Sequence, residues 1–114
     1  MKAADGAHVK HDSVVSMFLE KTAGLRDRIR ALRLFGSRAR DDWRPDSDYD
    51  ILVVVDKRDR ALVDQLYDAV LDVLFETNHL VSLKIFTEEQ YRRLAAIPTP
   101  FMARVAAEGL SLLE

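Results

Sequence analysis

Between Ser13 and Arg30 apolar residues recur at Val14, Phe18, Leu25 and Ile29, the spacing of a helix with one buried stripe. Asp12 or Ser13 supplies an N-cap, and Gly24 weakens the middle of the segment. Leu32, Leu34 and Phe35 then lead into Gly36-Ser37, the pattern of a short buried strand closing in a tight turn. From Ser37 to Asp46 the chain is dense in Arg and Asp and meets Pro45, which predicts a short helical turn and a loop. Ile51 to Val55 is apolar on both faces and rich in β-branched residues, as a central strand requires.

Asp59 to Thr77 follows with Leu62, Leu66, Val70, Val73 and Leu74 at helical spacing, and Asn78 is suited to the C-cap. Leu80 to Phe86 predicts another strand, and Thr87-Glu88-Glu89 opens a helix with a capping residue and an acidic first turn. Pro98 and Pro100 interrupt that helix. Phe101 to Ala107 is helical again, and Gly109 separates it from a last short strand, Leu110 to Leu113. Strands alternating with helices predict an α/β (α+β) fold, a small mixed sheet of about four strands flanked by helices. Met1 to Asp12 is polar and reads as a flexible tail, leaving residues 13–114 as one domain.

Composition narrows the function classes. The chain has 114 residues, 48% of them hydrophobic, enough for one core. Its net charge of −2 gives no basic excess, so direct nucleic-acid binding is not expected. Cysteine is absent, which excludes disulfides and thiolate metal sites and suits a reducing cytoplasm. No apolar run approaches the roughly 20 residues that span a bilayer, and the polar start lacks a secretory signal's apolar stretch.

The chemistry concentrates where strands end. About ten residues separate Gly36-Ser37 from Asp48, and so short a link favours antiparallel neighbours, with both segments at one end of the sheet. The long helix then returns the chain, so that Leu80 to Ser82 begins parallel to Asp48 and at the same end. Asp48 and Asp50 alternate along an extended chain, so their carboxylates share a face, roughly 6–7 Å apart at the backbone, while Tyr49 faces the other way. Two carboxylates so placed suit Mg²⁺, which prefers hard oxygen ligands and phosphates; metal-assisted transfer clamps the attacking and leaving oxygens. Gly36 admits close approach of a phosphate, Ser37 offers a hydroxyl beside a helix start, and Arg38, Arg40 and Arg44 carry guanidinium groups that match phosphate oxygens. Each motif alone has a plainer explanation, as a capping turn or as a solvated loop in which the arginines pair with Asp41, Asp42 and Asp46. Only their joint spacing points to a site.

The stretch Leu34-Phe35-Gly36-Ser37 through Asp48-Tyr49-Asp50 resembles the signature of the minimal nucleotidyltransferases of the DNA polymerase β superfamily: Gly-Ser, ten residues (here 38–47), then Asp-x-Asp. Glu108-Gly109-Leu110-Ser111-Leu112 is similar to that family's C-terminal strand. The resemblance implies a nucleotide site that includes Gly36, Ser37, Arg38, Arg40, Arg44 and Ser47, with Asp48 and Asp50 as catalytic metal ligands for Mg²⁺ and ATP or another NTP. It implies transfer of an NMP, AMP from ATP, to a hydroxyl acceptor on a partner protein. Chains of this length resemble the antitoxin of toxin–antitoxin pairs whose other member is a helical HEPN-type ribonuclease.

Two positions depart from the pattern. Asp41 stands where the family often has Gly, a small change because Asp tolerates unusual turn geometry. The third carboxylate is the larger departure: Val81-Ser82-Leu83-Lys84 puts Ser82 at its position and Lys84 on the same face, and residues 78–87 contain no Asp or Glu. Asp56 lies ~20 Å along the strand from Asp50 and at the wrong end to substitute. The loss of that ligand leaves two alternatives open, a catalytically weak or inactive binding partner and a structural α/β module with a vestigial signature. Among the remaining residues His79 reads as structural. Trp43 could stack on an adenine or cap the core, and Pro98 to Phe101 could be a helix breaker or an apolar edge.

Overall fold

A computed structural model of the chain describes residues 11–40 and 43–113. The tail up to Lys10, and Asp41, Asp42 and Glu114, lie outside the described residues, as does the expected pairing of the loop arginines with Asp41 and Asp42. The elements run α1 (Ser13–Lys21), a 3₁₀ segment (Ala23–Arg28), β1 (Ile29–Phe35), β2 (Tyr49–Val55), α2 (Arg60–Thr77), β3 (Val81–Thr87), α3 (Glu88–Ala95), α4 (Pro100–Glu108) and β4 (Leu110–Ser111). They form the expected mixed sheet of four strands flanked by helices, in the order β3-β2-β1-β4.

Local chemistry accounts for most boundaries. Asp12 caps α1, its carboxylate accepting from the amides of Val14 at 2.8 Å and Val15 at 3.1 Å. The predicted first helix is shorter than its periodicity suggests. At Thr22 the hydroxyl bonds back to the Phe18 carbonyl at 2.9 Å, Gly24 follows in the 3₁₀ segment, and Ile29 pairs with Val55 as the first residue of β1. The apolar residue that completed a helical stripe in sequence therefore belongs to a strand. Asp59 caps α2, and Asn78 ends it in the left-handed conformation at φ 61°, which Asn adopts more readily than most residues. Thr87 and Gln90 form a reciprocal capping box at the start of α3.

The two faces of the sheet are packed separately. Tyr49, Ile51, Val53 and Val55 face a core shared with Val14, Phe18, Leu62, Leu66, Val70 and Val73 of α1 and α2. Leu74, expected in that inner stripe, is half-buried. On the other face Leu52, Val54 and Phe35 meet Val105 of α4, with Phe101 and Phe86 packed alongside. The Phe101 ring stands edge-on to Phe35 at 5.6 Å, so this part of the Pro98 to Phe101 segment serves the second core. Leu113, expected at the end of the last strand, lies beyond β4.

Strand direction brings three segments of the chain together. β2 pairs antiparallel with β1, Phe35 opposite Asp50, and parallel with β3, Asp50 opposite Ser82. The end of β1 and the starts of β2 and β3 therefore meet at one edge. None of the described helices is long and apolar enough to cross a membrane. Phe18 is fully buried where α1 meets the sheet, and Phe18→Ala is expected to destabilise the protein by about 3–5 kcal/mol. Urea denaturation checks this through a lower midpoint at unchanged slope.

Candidate functional site

The bend after β1 is tied directly to the acidic pair. Gly36 sits at φ +79°, and a Cβ built there would lie 2.5 Å from Oδ2 of Asp50. No side chain fits between the bend and the carboxylate, so glycine is required both for its backbone conformation and for its missing methyl group. The following residues form a turn rather than a helix: the amides of Ala39 and Arg40 donate to the Gly36 carbonyl at 3.0 and 3.2 Å. Ser37 is half-buried within that turn, and Ala39 is buried in the core.

Asp48 and Asp50 flank the buried Tyr49, as strand alternation demands; Asp48 is exposed and Asp50 half-buried. Burial pushes the Asp50 carboxyl above its usual value, Lys84 opposes the shift, Asp48 adds to it, and Arg104 and Arg40 also oppose it. Three cations from three different elements thus act on one carboxylate. Ser82 is half-buried directly across the ladder from Asp50, and Lys84 is exposed two residues further on.

The arginines part company. Arg38 is buried, its guanidinium 4.5 Å from the Trp43 ring and 4.4 Å from the Tyr49 ring. It donates to the carbonyls of Ser47 at 3.2 Å and Pro45 at 3.3 Å. Tyr49 in turn donates its hydroxyl to Asp12 at 2.8 Å; burial and then this bond push its pKa far up. Arg38 therefore ties the loop to the α1 face, opposite the face of Asp50. Arg44 is exposed in the loop, and its amide donates to the Ser47 hydroxyl at 2.9 Å. Ser47 holds that turn next to Asp48.

Arg40 points to the other side and pairs with Glu108 at 2.7 Å. The second Glu108 oxygen accepts from the Gly36 amide at 3.2 Å. Glu108 closes α4, 72 positions from Gly36 in sequence; the C-terminal resemblance includes it but implied no role for it, and α4 together with the β1–β4 pairing brings it to the bend. His79 stands edge-on to Tyr49 at 5.9 Å, a structural contact on the face away from Asp50. Trp43 lies on Arg38. Asp56 binds Arg28 at the far end of the sheet, 3.1 Å away.

The polar side chains that Asp48, Asp50 and Ser82 bring to this edge carry oxygen donors alone, the type a hard cation such as Mg²⁺ selects. Among the described residues no three His, Cys, Asp or Glu side chains gather into a metal cluster; this edge carries the two carboxylates of Asp48 and Asp50. The raised Asp50 has a consequence for stability. Between the unfolded and folded pKa values the folded chain binds more protons, so stability falls as pH rises through that window. Asp50→Asn removes the buried charge. It is expected to raise the melting temperature at neutral pH and to flatten the acid-side dependence, and a pH series of thermal melts checks both.

Comparison with known proteins accords with this geometry. The fold is similar to the crystal structure of a Sulfolobus solfataricus protein assigned as a nucleotidyltransferase, with a TM-score of 0.56 and 19% identity over 100% of this chain and 89% of that one. No curated protein sequence matches the chain. The sequence profile described as "Polymerase beta, Nucleotidyltransferase" matches residues 18–114, which include the bend, the acidic pair and all four strands. The chain belongs to that polymerase beta nucleotidyltransferase family.

Proposed function

We propose that the chain binds a magnesium nucleoside triphosphate, ATP first among them, at the edge formed by Gly36, Ser37, Asp48 and Asp50, and transfers its NMP to a hydroxyl on a partner protein. The observation that carries this reading is the contact between a glycine bend at φ +79° and the Asp50 carboxylate. A phosphate-accommodating turn and a cation-binding acid are thereby set side by side. Asp48 and Asp50 would hold Mg²⁺, with Ser82 as a weaker ligand, and the bound cation would neutralise charge on the phosphates. Ser37 and Arg40 lie beside the bend to receive phosphate oxygens, and Arg44 is exposed on the same loop. Arg38 acts at one remove, fixing the loop through Trp43, Tyr49, Pro45 and Ser47. In the transfer the acceptor oxygen bonds to the α-phosphorus, its proton passes to solvent, and the bond to the β-phosphate oxygen breaks with its electron pair leaving on pyrophosphate.

A partner is supported by the outer face of α2. Tyr67, Leu71 and Phe75 follow one another at four-residue spacing and are 44%, 47% and 80% exposed, an apolar stripe suited to a helix of a second protein. A separately encoded helical HEPN-type protein is the partner we infer.

A second reading has its own support. Ser82 across from Asp50, with Lys84 acting on the same carboxylate, weakens cation binding where three carboxylates would strengthen it. On this reading the protein binds nucleotide and partner but transfers slowly or not at all. The two readings differ in the response to Ser82→Asp. Wild-type transfer of AMP from α-phosphate-radiolabelled ATP to a co-expressed partner is expected to be slow. Ser82→Asp is expected to raise it at least about tenfold, equivalent to about 1.4 kcal/mol at the barrier. Fast wild-type transfer that Ser82→Asp leaves unchanged would show that the missing ligand does not limit the reaction. Silence in both proteins would favour the binding module.

A further inference from the structure

Glu108 is placed where a carboxylate gains little from its own helix. It is the last residue of α4, at the end where the helix dipole disfavours negative charge. Its position is fixed from both sides, by the body of α4 before it and by the pairing of Leu110 with Leu34 after it. What satisfies the carboxylate is the bend. One oxygen accepts the Gly36 amide at 3.2 Å, the other the Arg40 guanidinium at 2.7 Å, and the side chain is only 17% exposed. Two oxygens of one anion, each on a separate donor, is the arrangement a phosphate adopts on a backbone amide and an arginine.

We infer that Glu108 is an internal competitor for nucleotide phosphate, occupying the Gly36 amide and the Arg40 guanidinium until a triphosphate displaces it. This rests on the nucleotide site proposed above. Arg40 acts on Asp50 as well as on Glu108, so the contested donor belongs to the same edge as the acidic pair. An incoming triphosphate meets Glu108 as a like charge and must turn its carboxylate away to reach both donors. Glu108 thereby lowers affinity most for the ligands that carry the most phosphate charge.

Titration calorimetry on the whole chain with Mg-ATP, Mg-AMP and inorganic tripolyphosphate tests this in the wild type, Glu108→Gln and Glu108→Ala. The glutamine variant keeps the side chain's shape and an acceptor oxygen while removing the charge, and circular dichroism confirms that each variant is folded. Competition predicts that both variants bind Mg-ATP and tripolyphosphate at least about tenfold more tightly, with a smaller gain for Mg-AMP. Unchanged or weaker ATP binding in both variants overturns the inference, leaves the nucleotide site standing and makes Glu108 a brace of the bend. A gain of equal size for all three ligands also overturns it. Absence of ATP binding in every protein overturns both the inference and the nucleotide reading.

Discussion

The arrangement depends on β2 pairing with neighbours of opposite direction. Antiparallel pairing brings the end of β1 to the start of β2, and parallel pairing brings the start of β3 to the same place. Had the ten residues between Ser37 and Asp48 formed a full crossover, the glycine bend and the acidic pair would lie at opposite ends of the sheet. The Phe35–Asp50 and Asp50–Ser82 ladder positions fix the contact in register, and the missing Cβ of Gly36 lets the bend close on Asp50. A one-residue slip would turn Asp50 into the core and Tyr49 out of it.

Alternation along β2 also divides the labour of the loop. The Tyr49 face carries a chain of contacts from Arg38 through the Tyr49 ring to Asp12, which at the same time caps α1. The helix start, the strand and the loop are thus joined by polar and aromatic contacts around a buried guanidinium. The Asp50 face carries the charges available for chemistry: two carboxylates, and Lys84, Arg40 and Arg104 acting on one of them. The Tyr49 face braces the loop, while the other face holds a half-buried Asp50 whose carboxyl is pushed by burial above its usual value, a local cost that the cation of the proposed function would relieve.

Much of this was legible in the chain because local rules and the fold agree. The apolar run Ile51 to Val55, the stripe of α2, Asn78 as its left-handed stop and Thr87 as a cap all carry signals within a few residues. The link between Gly36 and Asp48 was short enough to give strand direction, and with it the common edge. The start of β1 was masked by Leu25 and Ile29, whose spacing continues a helix that Thr22 and Gly24 end; pairing with Val55 decided the matter, and that lies outside any local window. Arg38 and Arg40 are equivalent in sequence, two cations in one loop, yet one is buried between aromatic rings and the other faces Glu108. Glu108 stood in the C-terminal stretch that resembles the family, but its contact with the bend spans 72 positions and lay outside any local window.

Substituting Mn²⁺ for Mg²⁺ and following paramagnetic broadening of the backbone amide resonances in the presence of ATP tests the shared edge most directly. The account predicts selective broadening at Gly36, Ser37, Asp48, Asp50 and Ser82, with Arg28, Asp56 and Asp59 at the far end of the sheet left sharp. Broadening centred away from those five residues, or none at ATP saturation, would contradict it.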